Sequence, residues 1–334
     1  RRKFINAFVG IGAAAVLVLA TLTLYSSDEE SAADGDGTPT TAQTDVAGAE
    51  PEPEALPTEA PRIPAYEPLA DEEVPEGKAF ASRVAQSALT YDRGVSLARH
   101  AASLRRFGAT VDPAAVRAAY AEGARAWARV VYPQLSGYTG DTMGAMVVTK
   151  QIVEDSAGER STVSRVVDVR LRLAENGEWQ LDELASVGGS PPPGSSRLSS
   201  SAERVLANDA IDLPDSARWD IERGLIDDGL LDALDSLAAT TPIDVTVLSS
   251  GHPPNVWQTD RPSAHATGFA VDIYAIDGLE VIRQRDEGSA AYQFADAALA
   301  GGAAQVGSPW VIGTDTSRSF TDTVHQDHVH LQQN

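Results

Sequence analysis

Two short stretches near the end of the chain hold most of its histidine: SAHATGFAVD, residues 263–272, and HQDHVH, residues 325–330. The chain has six histidines in 334 residues, and four of them lie in these two stretches. Neutral imidazoles together with a carboxylate are ligands that zinc accepts in proteins. Because histidine is scarce elsewhere, the two stretches together predict a divided metal site.

The first stretch has the pattern of a turn that leads into a strand. Successive side chains of a strand point to opposite faces, so Asp272 can face a cleft while Val271 and Ile273 pack into a core. Gly268 permits a backbone turn that brings the ring of His265 towards Asp272. The first stretch therefore predicts two ligands side by side.

The second stretch supplies the third ligand. His328 and His330 are two residues apart, so on a closing strand their rings project from the same face. One of them can bind a metal while the other lies beside the open position. His265, Asp272 and His330 with a water molecule in fourth place would make the ligand set of a catalytic zinc ion.

The two motifs, in this order, resemble those of the Hedgehog/DD-peptidase fold, which includes zinc D-Ala-D-Ala carboxypeptidases and dipeptidases of the M15 type. The resemblance covers about residues 200–334. It implies a Zn²⁺ cofactor held by His265, Asp272 and His330. Asp327 matches the acidic general base of the dipeptidase branch, and His328 matches the histidine that supports the transition state in the carboxypeptidase branch.

The same resemblance implies contacts to the substrate, but one residue that makes them in the family is absent here. Ser263 matches the serine of the family motif that contacts substrate. The family has an arginine in a Ser-Gly-Tyr-Arg segment, where this chain has Ser250-Gly251-His252-Pro253. His252 or Arg261 would have to replace that cation, whose loss can reduce the rate by about 10²–10³. His252 and His325 are otherwise interpreted as a turn residue and a surface loop residue.

Composition excludes several other classes of protein. A formal net charge of −22 and a pI of about 4.5 disfavour binding to nucleic acid, so no nucleic-acid partner is expected. The chain has no cysteine, which excludes disulfides, thiolate metal sites and a cysteine nucleophile. Any metal ion must be bound by His, Asp or Glu.

The first 25 residues predict a transmembrane anchor. Three basic residues precede a nearly continuous apolar run from Phe4 to Tyr25, which is long enough to cross a bilayer as a helix. The basic flank before this run and the acidic residues after it predict a single-pass protein of the cell membrane with extracytoplasmic C-terminal domains. A cleaved signal peptide is the alternative.

The segments after the anchor divide into linkers and domains. Residues 26–77 are rich in Pro, Ala and acidic residues and predict a disordered spacer. Residues 78–187 have two Ala-rich helical patterns, Ala81–Phe107 and Pro113–Val131. Alternating strands and a hairpin turn at 175–178 follow, an order that resembles an NTF2-like α+β domain. His100 in this segment is interpreted as a surface residue.

The last domain, residues 202–334, follows a linker at 188–201. Helices are predicted at 202–208, 214–237 and 290–300, and strands at 243–248, 269–276, 310–312 and 328–332. Helices and strands mix without a regular βαβ order, so the fold class predicted for both domains is α+β.

These observations favour a membrane-anchored extracytoplasmic zinc metallopeptidase that cleaves a D-Ala-containing bond in peptidoglycan peptides. The alternative is a non-catalytic, zinc-containing module that binds cell-wall peptides or a protein, with the middle domain as the surface for a protein partner. A purely structural scaffold is a third hypothesis, which the complete ligand set disfavours.

Overall fold

The computed structural model describes residues 60–194, 197–314 and 316–334. These residues belong to one compact unit, Ala55–Asn334. The predicted transmembrane anchor and most of the predicted spacer lie outside the described residues. Of the helices within them, none has the length and apolar character needed to span a bilayer.

The described chain combines helices with two sheets, which confirms the predicted α+β class. Its helices are α1 (Pro75–Ala88), α2 (Leu97–Ser103), α3 (Pro113–Val116), α4 (Ser200–Ala207), α5 (Asp215–Glu222), α6 (Asp228–Ala238) and α7 (Ala290–Ala300). Its strands are β1 (Arg125–Tyr138), β2 (Thr142–Glu154), β3 (Arg160–Leu173), β4 (Trp179–Ser186), β5 (Ile211–Asp212), β6 (Ile243–Val247), β7 (Ala270–Ile276), β8 (Leu279–Glu280), β9 (Gln305–Gly307), β10 (Ser319–Phe320) and β11 (Val329–Gln332).

The first sheet is an antiparallel meander in the order β1-β2-β3-β4. One of its faces is covered by α1 and by the chain that follows it, and alternate strand residues such as Val147, Val169 and Leu171 form the core with Val84 and Leu104. The predicted hairpin turn before β4 is confirmed by the bond from the Ala174 N–H to the Glu178 carbonyl at 2.9 Å. The predicted alternating strands of this segment are likewise present.

The helix predicted at Pro113–Val131 is wrong for most of its length. Its start is as expected, because the Asp112 carboxylate accepts a hydrogen bond from the Ala114 N–H at 2.8 Å. The helical turns end at Ala119, however, and β1 begins at Arg125. The Ala-rich pattern suits a helix locally, but pairing along the whole of β2 and packing against α1 override that preference.

His100 is a second correction. Its side chain is buried rather than exposed, and its Nε2 hydrogen-bonds to the Ala88 carbonyl at 2.8 Å. The ring packs beside Tyr91 and Tyr120. Burial lowers the pKa of His100, so the ring is a neutral core residue that joins α2 to the end of α1.

The second sheet has the order β10-β9-β11-β7-β6-β5, and β8 pairs with the C-terminal end of β7. Apolar side chains on one face of β7, including Val271 and Ile273, pack against α7 and α6 through Phe294 and Leu230. The other face of β7 carries Asp272 and Tyr274. The alternation predicted for this strand therefore describes its two faces correctly.

Two elements predicted in the second half of the described chain, residues 202–334, differ from the structure. The single helix predicted at 214–237 is divided into α5 and α6, because Gly224 adopts a φ of 70° and Asp227 caps the new helix. The strand predicted at 310–312 is absent from the described elements, and β9 lies earlier in the chain. Ser308 bonds locally to the Trp310 N–H and carbonyl, which removes these groups from strand pairing.

The face of β7 that carries Asp272 is covered by the first sheet. Tyr132 of β1 stacks on Tyr274 of β7, with ring centroids 5.5 Å apart and planes 10° from parallel. Met146 packs with Val247 in a second apolar contact between the sheets. The sheets therefore enclose polar side chains at their interface.

The chain before α1 also packs into this interface. Tyr66 contacts the Tyr132 ring edge-on, and the buried Glu72 pairs with Lys78 at 2.6 Å. The helix begins at Pro75, ahead of the domain boundary predicted at Lys78. Residues 60–77 therefore belong to the folded unit, because they supply an acid that a buried lysine requires.

A pair of glycines forms the seat of a tryptophan at the same interface. Gly137 and Gly144 are cross-strand partners in β1 and β2, and the Trp257 indole lies directly on both. The three atoms nearest to a Cβ on Gly137 would all belong to this indole, with Cε3 at 2.7 Å, which is closer than side-chain carbons approach. Trp257 thus anchors the loop 249–263 of the second half to the first sheet.

Replacing Gly137 by alanine should lower the free energy of unfolding by about 1–3 kcal/mol, because the indole must move out of its seat. Denaturant unfolding of the wild type and of Gly137→Ala, Trp257→Ala and the double variant measures this cost. In the Trp257→Ala background the glycine substitution should cost much less. Equal costs in the two backgrounds would contradict the proposed seat.

The buried Asp168 should make stability depend on pH. Burial raises its pKa to about 6 against the opposing effect of Arg170, whereas an unfolded aspartate has a pKa of about 3.9. Between these values the folded chain binds the proton more strongly, so the free energy of unfolding should fall as pH rises from about 4 to about 6.

Asp168→Asn should remove on the order of 2 kcal/mol of this decline. Part of the slope should remain, because the pKa of Asp244 is also raised to about 6 by burial. Asp182→Asn, at an exposed position on β4, is the control. Denaturant unfolding at pH 4 and pH 7 gives the comparison, and an unaltered slope in Asp168→Asn would refute the assignment.

Candidate metal centre

A cavity of about 350 Å³ opens between the two sheets. One wall is the end of β1, residues 135–139, and another is the loop 252–264. The floor is formed by Asp272 of β7 and His330 of β11, together with His265 and His328, which precede these strands. Cavities of this size bind small molecules or short chain segments.

Three predicted ligands converge on this floor. His265 Nε2 lies 3.2 Å from Asp272 Oδ1, His330 Nδ1 lies 2.8 Å from the same oxygen, and the two ring nitrogens are 3.2 Å apart. His330 stands directly opposite Asp272 in the pairing of β11 with β7. The register of these strands therefore brings the two motifs together.

Local structure explains how His265 reaches the floor. It lies in a short 3-10 turn that ends at Gly268, whose φ of 79° is readily adopted only by glycine, as expected from the sequence. The ring Nδ1 is 2.7 Å from the Leu248 carbonyl, which can only accept. Nδ1 therefore carries the proton, and Nε2 presents its lone pair to Asp272 and His330.

The donor atoms fit a tetrahedral metal ion. Zinc binds imidazole nitrogen and carboxylate oxygen at about 2.0–2.2 Å, which places neighbouring ligands of a tetrahedron about 3.3 Å apart. Two of the three separations on the cavity floor, at 3.2 Å, are close to this value, and the third is shorter at 2.8 Å. The hydrogen bond that His265 Nδ1–H donates to the Leu248 carbonyl is also the kind of contact that orients a metal-binding imidazole.

His252 is a further residue whose ring lies near the three predicted metal ligands. Among the described residues, ligand atoms of His252, His265 and Asp272 lie within 4.8 Å of one another, so this group could hold a metal ion. The His252 ring stacks on His265, with centroids 4.0 Å apart and planes 13° from parallel. Imidazole binds a metal in its ring plane, so an ion in the plane of His265 is displaced from that of His252. Stacking favours His330 as the third ligand.

Charge states on the floor suit metal binding. Burial raises the pKa of Asp272, but His265, His328 and His330 outweigh it and hold that pKa well below its usual range. Burial lowers the pKa of His330 to about 4 and holds the pKa of His252 well below its ordinary value. The carboxylate is ionised and both imidazoles are neutral near pH 7, as metal ligation requires.

His328 lies beside the three converging residues. Its Nε2 is 3.9 Å from Asp272 Oδ1, and its Nδ1 is 2.7 Å from Asp327 Oδ1. Burial lowers the pKa of His328, but the two aspartates outweigh burial and raise it above the ordinary value. Because Asp327 accepts a hydrogen bond from Nδ1–H, Nε2 is the nitrogen that faces the floor.

The general-base role predicted for Asp327 does not fit its contacts. The carboxylate is buried, with Oδ1 on His328 and Oδ2 shared by Lys78 Nζ at 2.6 Å and the Leu135 N–H at 3.0 Å. Burial raises its pKa, but Lys78 and His328 lower it below the ordinary value. Both oxygens are thus occupied by donors, and the residue orients His328 instead.

Both residues predicted to contact substrate line the cavity. The Ser263 hydroxyl accepts a hydrogen bond from the His265 N–H at 3.3 Å, so it also supports the turn that carries this ligand. Arg261 is exposed to solvent at the cavity. His252 cannot supply the positive charge of the arginine that the family motif contains, because its low pKa keeps it neutral.

His325 was interpreted as a surface histidine, yet it lines the cavity. Its Nδ1 is 2.7 Å from Asp322 Oδ1, and its ring lies 5.0 Å from that of His328. The side chain is 16% exposed, which is intermediate between floor and surface. His325 and Asp322 form a second histidine–aspartate pair at the cavity. The spacing of residues in the HQDHVH stretch is equally compatible with an exposed loop, so it does not predict this pair.

Two further residues that contact the floor come from the first half of the chain. Lys78 holds Asp327, and Gln134 Nε2 donates to Asp272 Oδ2 at 2.8 Å. Lys78 lies at helical spacing from the buried Ala81, Ser82 and Ala85, and this spacing is the sequence feature that indicates its burial. Gln134 had no such signal, because the sequence before it was interpreted as a helix.

Comparisons with known proteins add no relative to this description. No family model, no curated protein and no solved structure matches the chain.

Removal of single histidines should identify the ligands. His265→Ala and His330→Ala should each raise the dissociation constant for zinc by more than about 100-fold. Loss of a residue that only orients a metal ligand costs up to about 100-fold, so loss of a ligand should cost more. His252→Ala should have a smaller effect, because its ring is stacked rather than directed at the ion. Competition with a chromophoric chelator measures all three. A large loss in His252→Ala and a small one in His330→Ala would instead assign the ion to His252, His265 and Asp272.

Proposed function

We propose that this protein is a zinc-dependent peptidase that cleaves a D-Ala-containing bond in peptidoglycan peptides. The observation that carries the proposal is the convergence of His265 Nε2, Asp272 Oδ1 and His330 Nδ1 on the floor of an open cavity. A structural zinc site is closed by four protein ligands, whereas three ligands facing a cavity leave a position for water or substrate. The substrate class is taken from the resemblance of the two motifs to M15-type enzymes.

His265, Asp272 and His330 would hold the ion. Zinc supplies Lewis acidity and lowers the pKa of water, which provides a nucleophile near neutral pH. His328 is the residue that we propose for hydrogen bonding and proton transfer to the substrate, since its Nδ1 is committed to Asp327 and its Nε2 faces the floor. Asp327 fixes the orientation of that ring, and Lys78 and the Leu135 N–H fix Asp327.

The cavity also limits the substrate. Its volume of about 350 Å³ suits a few residues of an extended peptide, and the walls belong to both halves of the chain. Arg261 is the cation that lines it among the described residues, and it is placed to attract an anionic group of the substrate. With the predicted N-terminal anchor, the enzyme would act at the outer face of the cell membrane.

The alternative is a non-catalytic zinc module that binds wall peptides or a protein partner. One observation favours it: His252, in the position of the family arginine, is neutral and stacked on a ligand rather than available as a cation. A module of this kind would retain zinc and bind peptide without cleaving it.

Incubation of the full chain with muropeptides ending in D-Ala-D-Ala should release D-alanine, detected by mass spectrometry. His328→Gln should lower kcat/KM by about 10²–10⁴, the usual contribution of general acid–base catalysis, while zinc content stays at the wild-type level. His100→Gln, which alters a buried histidine remote from the cavity, is the matched control and should retain turnover. Zinc-loaded wild type that binds muropeptides without any product would support the alternative instead.

A further inference from the structure

Gln134 of β1 is buried at the interface between the two sheets and joins both. Its Nε2 donates to Asp272 Oδ2 at 2.8 Å, and its Oε1 accepts a hydrogen bond from the Thr246 hydroxyl of β6. A carboxylate can only accept, so the amide nitrogen must face Asp272. Thr246 holds the amide in that orientation from the other end.

This contact determines how Asp272 is presented. Because Oδ2 is bonded to Gln134, Oδ1 is the oxygen directed at His265 and His330. Rotation of the carboxylate would break a buried hydrogen bond to a charged group, which is stronger than one between neutral groups. Gln134 therefore restricts Asp272 to the orientation in which a single oxygen can bind a metal.

We propose that Gln134 is a positioning residue of the metal site, which makes the first sheet a part of the metal centre. This inference rests on the proposed function only in requiring that the ion binds at His265, Asp272 and His330. It assigns the first half of the chain a direct effect on metal affinity. An independent docking domain, the role considered for residues 78–187, would have no such effect.

The chain contains a matched control for a buried glutamine in the same sheet. Gln151 of β2 is equally buried, and its Nε2 donates to the Leu89 and Ala119 carbonyls at 2.9 Å each. These contacts lie within the first half and do not reach the cavity floor. Loss of Gln151 should therefore reduce stability without changing the orientation of Asp272.

The experiment compares zinc affinity in the full chain for the wild type, Gln134→Met and Gln151→Met. Methionine retains the length and volume of glutamine but removes the donor. Gln134→Met should raise the dissociation constant by about 10–100-fold, the effect of losing an outer partner of a metal ligand. Gln151→Met should bind zinc as the wild type does, and the unfolding midpoint of each variant reports on folding.

Thr246→Val provides an independent test that leaves Gln134 in place. It removes the bond that orients the amide, so zinc affinity should fall, though by less than in Gln134→Met. The double variant Thr246→Val/Gln134→Met should bind zinc no more weakly than Gln134→Met, because Thr246 acts through the glutamine. Additive losses would mean that the two residues act separately.

The outcomes separate this inference from the proposed function. A wild type that binds zinc together with an unchanged affinity in Gln134→Met would overturn the positioning role and leave the metal site intact. Equal losses of affinity in Gln134→Met and Gln151→Met would reduce Gln134 to a general structural residue. A wild type that binds no zinc would overturn both the metal-dependent function and this inference.

Discussion

The face of β7 that carries Asp272 is covered by the first sheet and therefore shielded from solvent. The organisation of the site depends on this constraint. A buried charge or imidazole is costly unless a partner replaces water. Asp272, His265, Asp327 and His328 are all nearly inaccessible to solvent, and each has at least one hydrogen-bond or ion-pair partner. Some of these partners come from the covering sheet and its helix, so the two halves of the chain form one chemical unit.

Sequence reasoning was most successful where function and strand periodicity coincide. The alternation of Asp272 with its apolar neighbours and the turn at Gly268 are local properties, and both are present in the structure. His330 could be placed because the order of the two motifs suggested that they meet. The structure adds the register that puts His330 opposite Asp272.

The failures have a common physical origin, which is that buried polar residues are satisfied by distant ones. The resemblance predicts a general base at Asp327, and the partners that occupy its oxygens, Lys78 and the Leu135 N–H, cannot be inferred from residues near it. Gln134 and Asp272 are 138 residues apart. The wrong helix at Pro113–Val131 shows the same limitation, since alanine favours a helix locally but β1 is stabilised by its pairing with β2.

The seat of Trp257 on two glycines has a mechanical consequence. The loop that carries this indole starts at the end of β6 and also contains His252, so it is attached to both sheets at once. If one sheet slides along the other, the loop must follow the first sheet while His265 stays with the second. Such a shear would strain the loop between its start at β6 and the indole, so the packing of the two halves and the position of the His252 ring depend on each other.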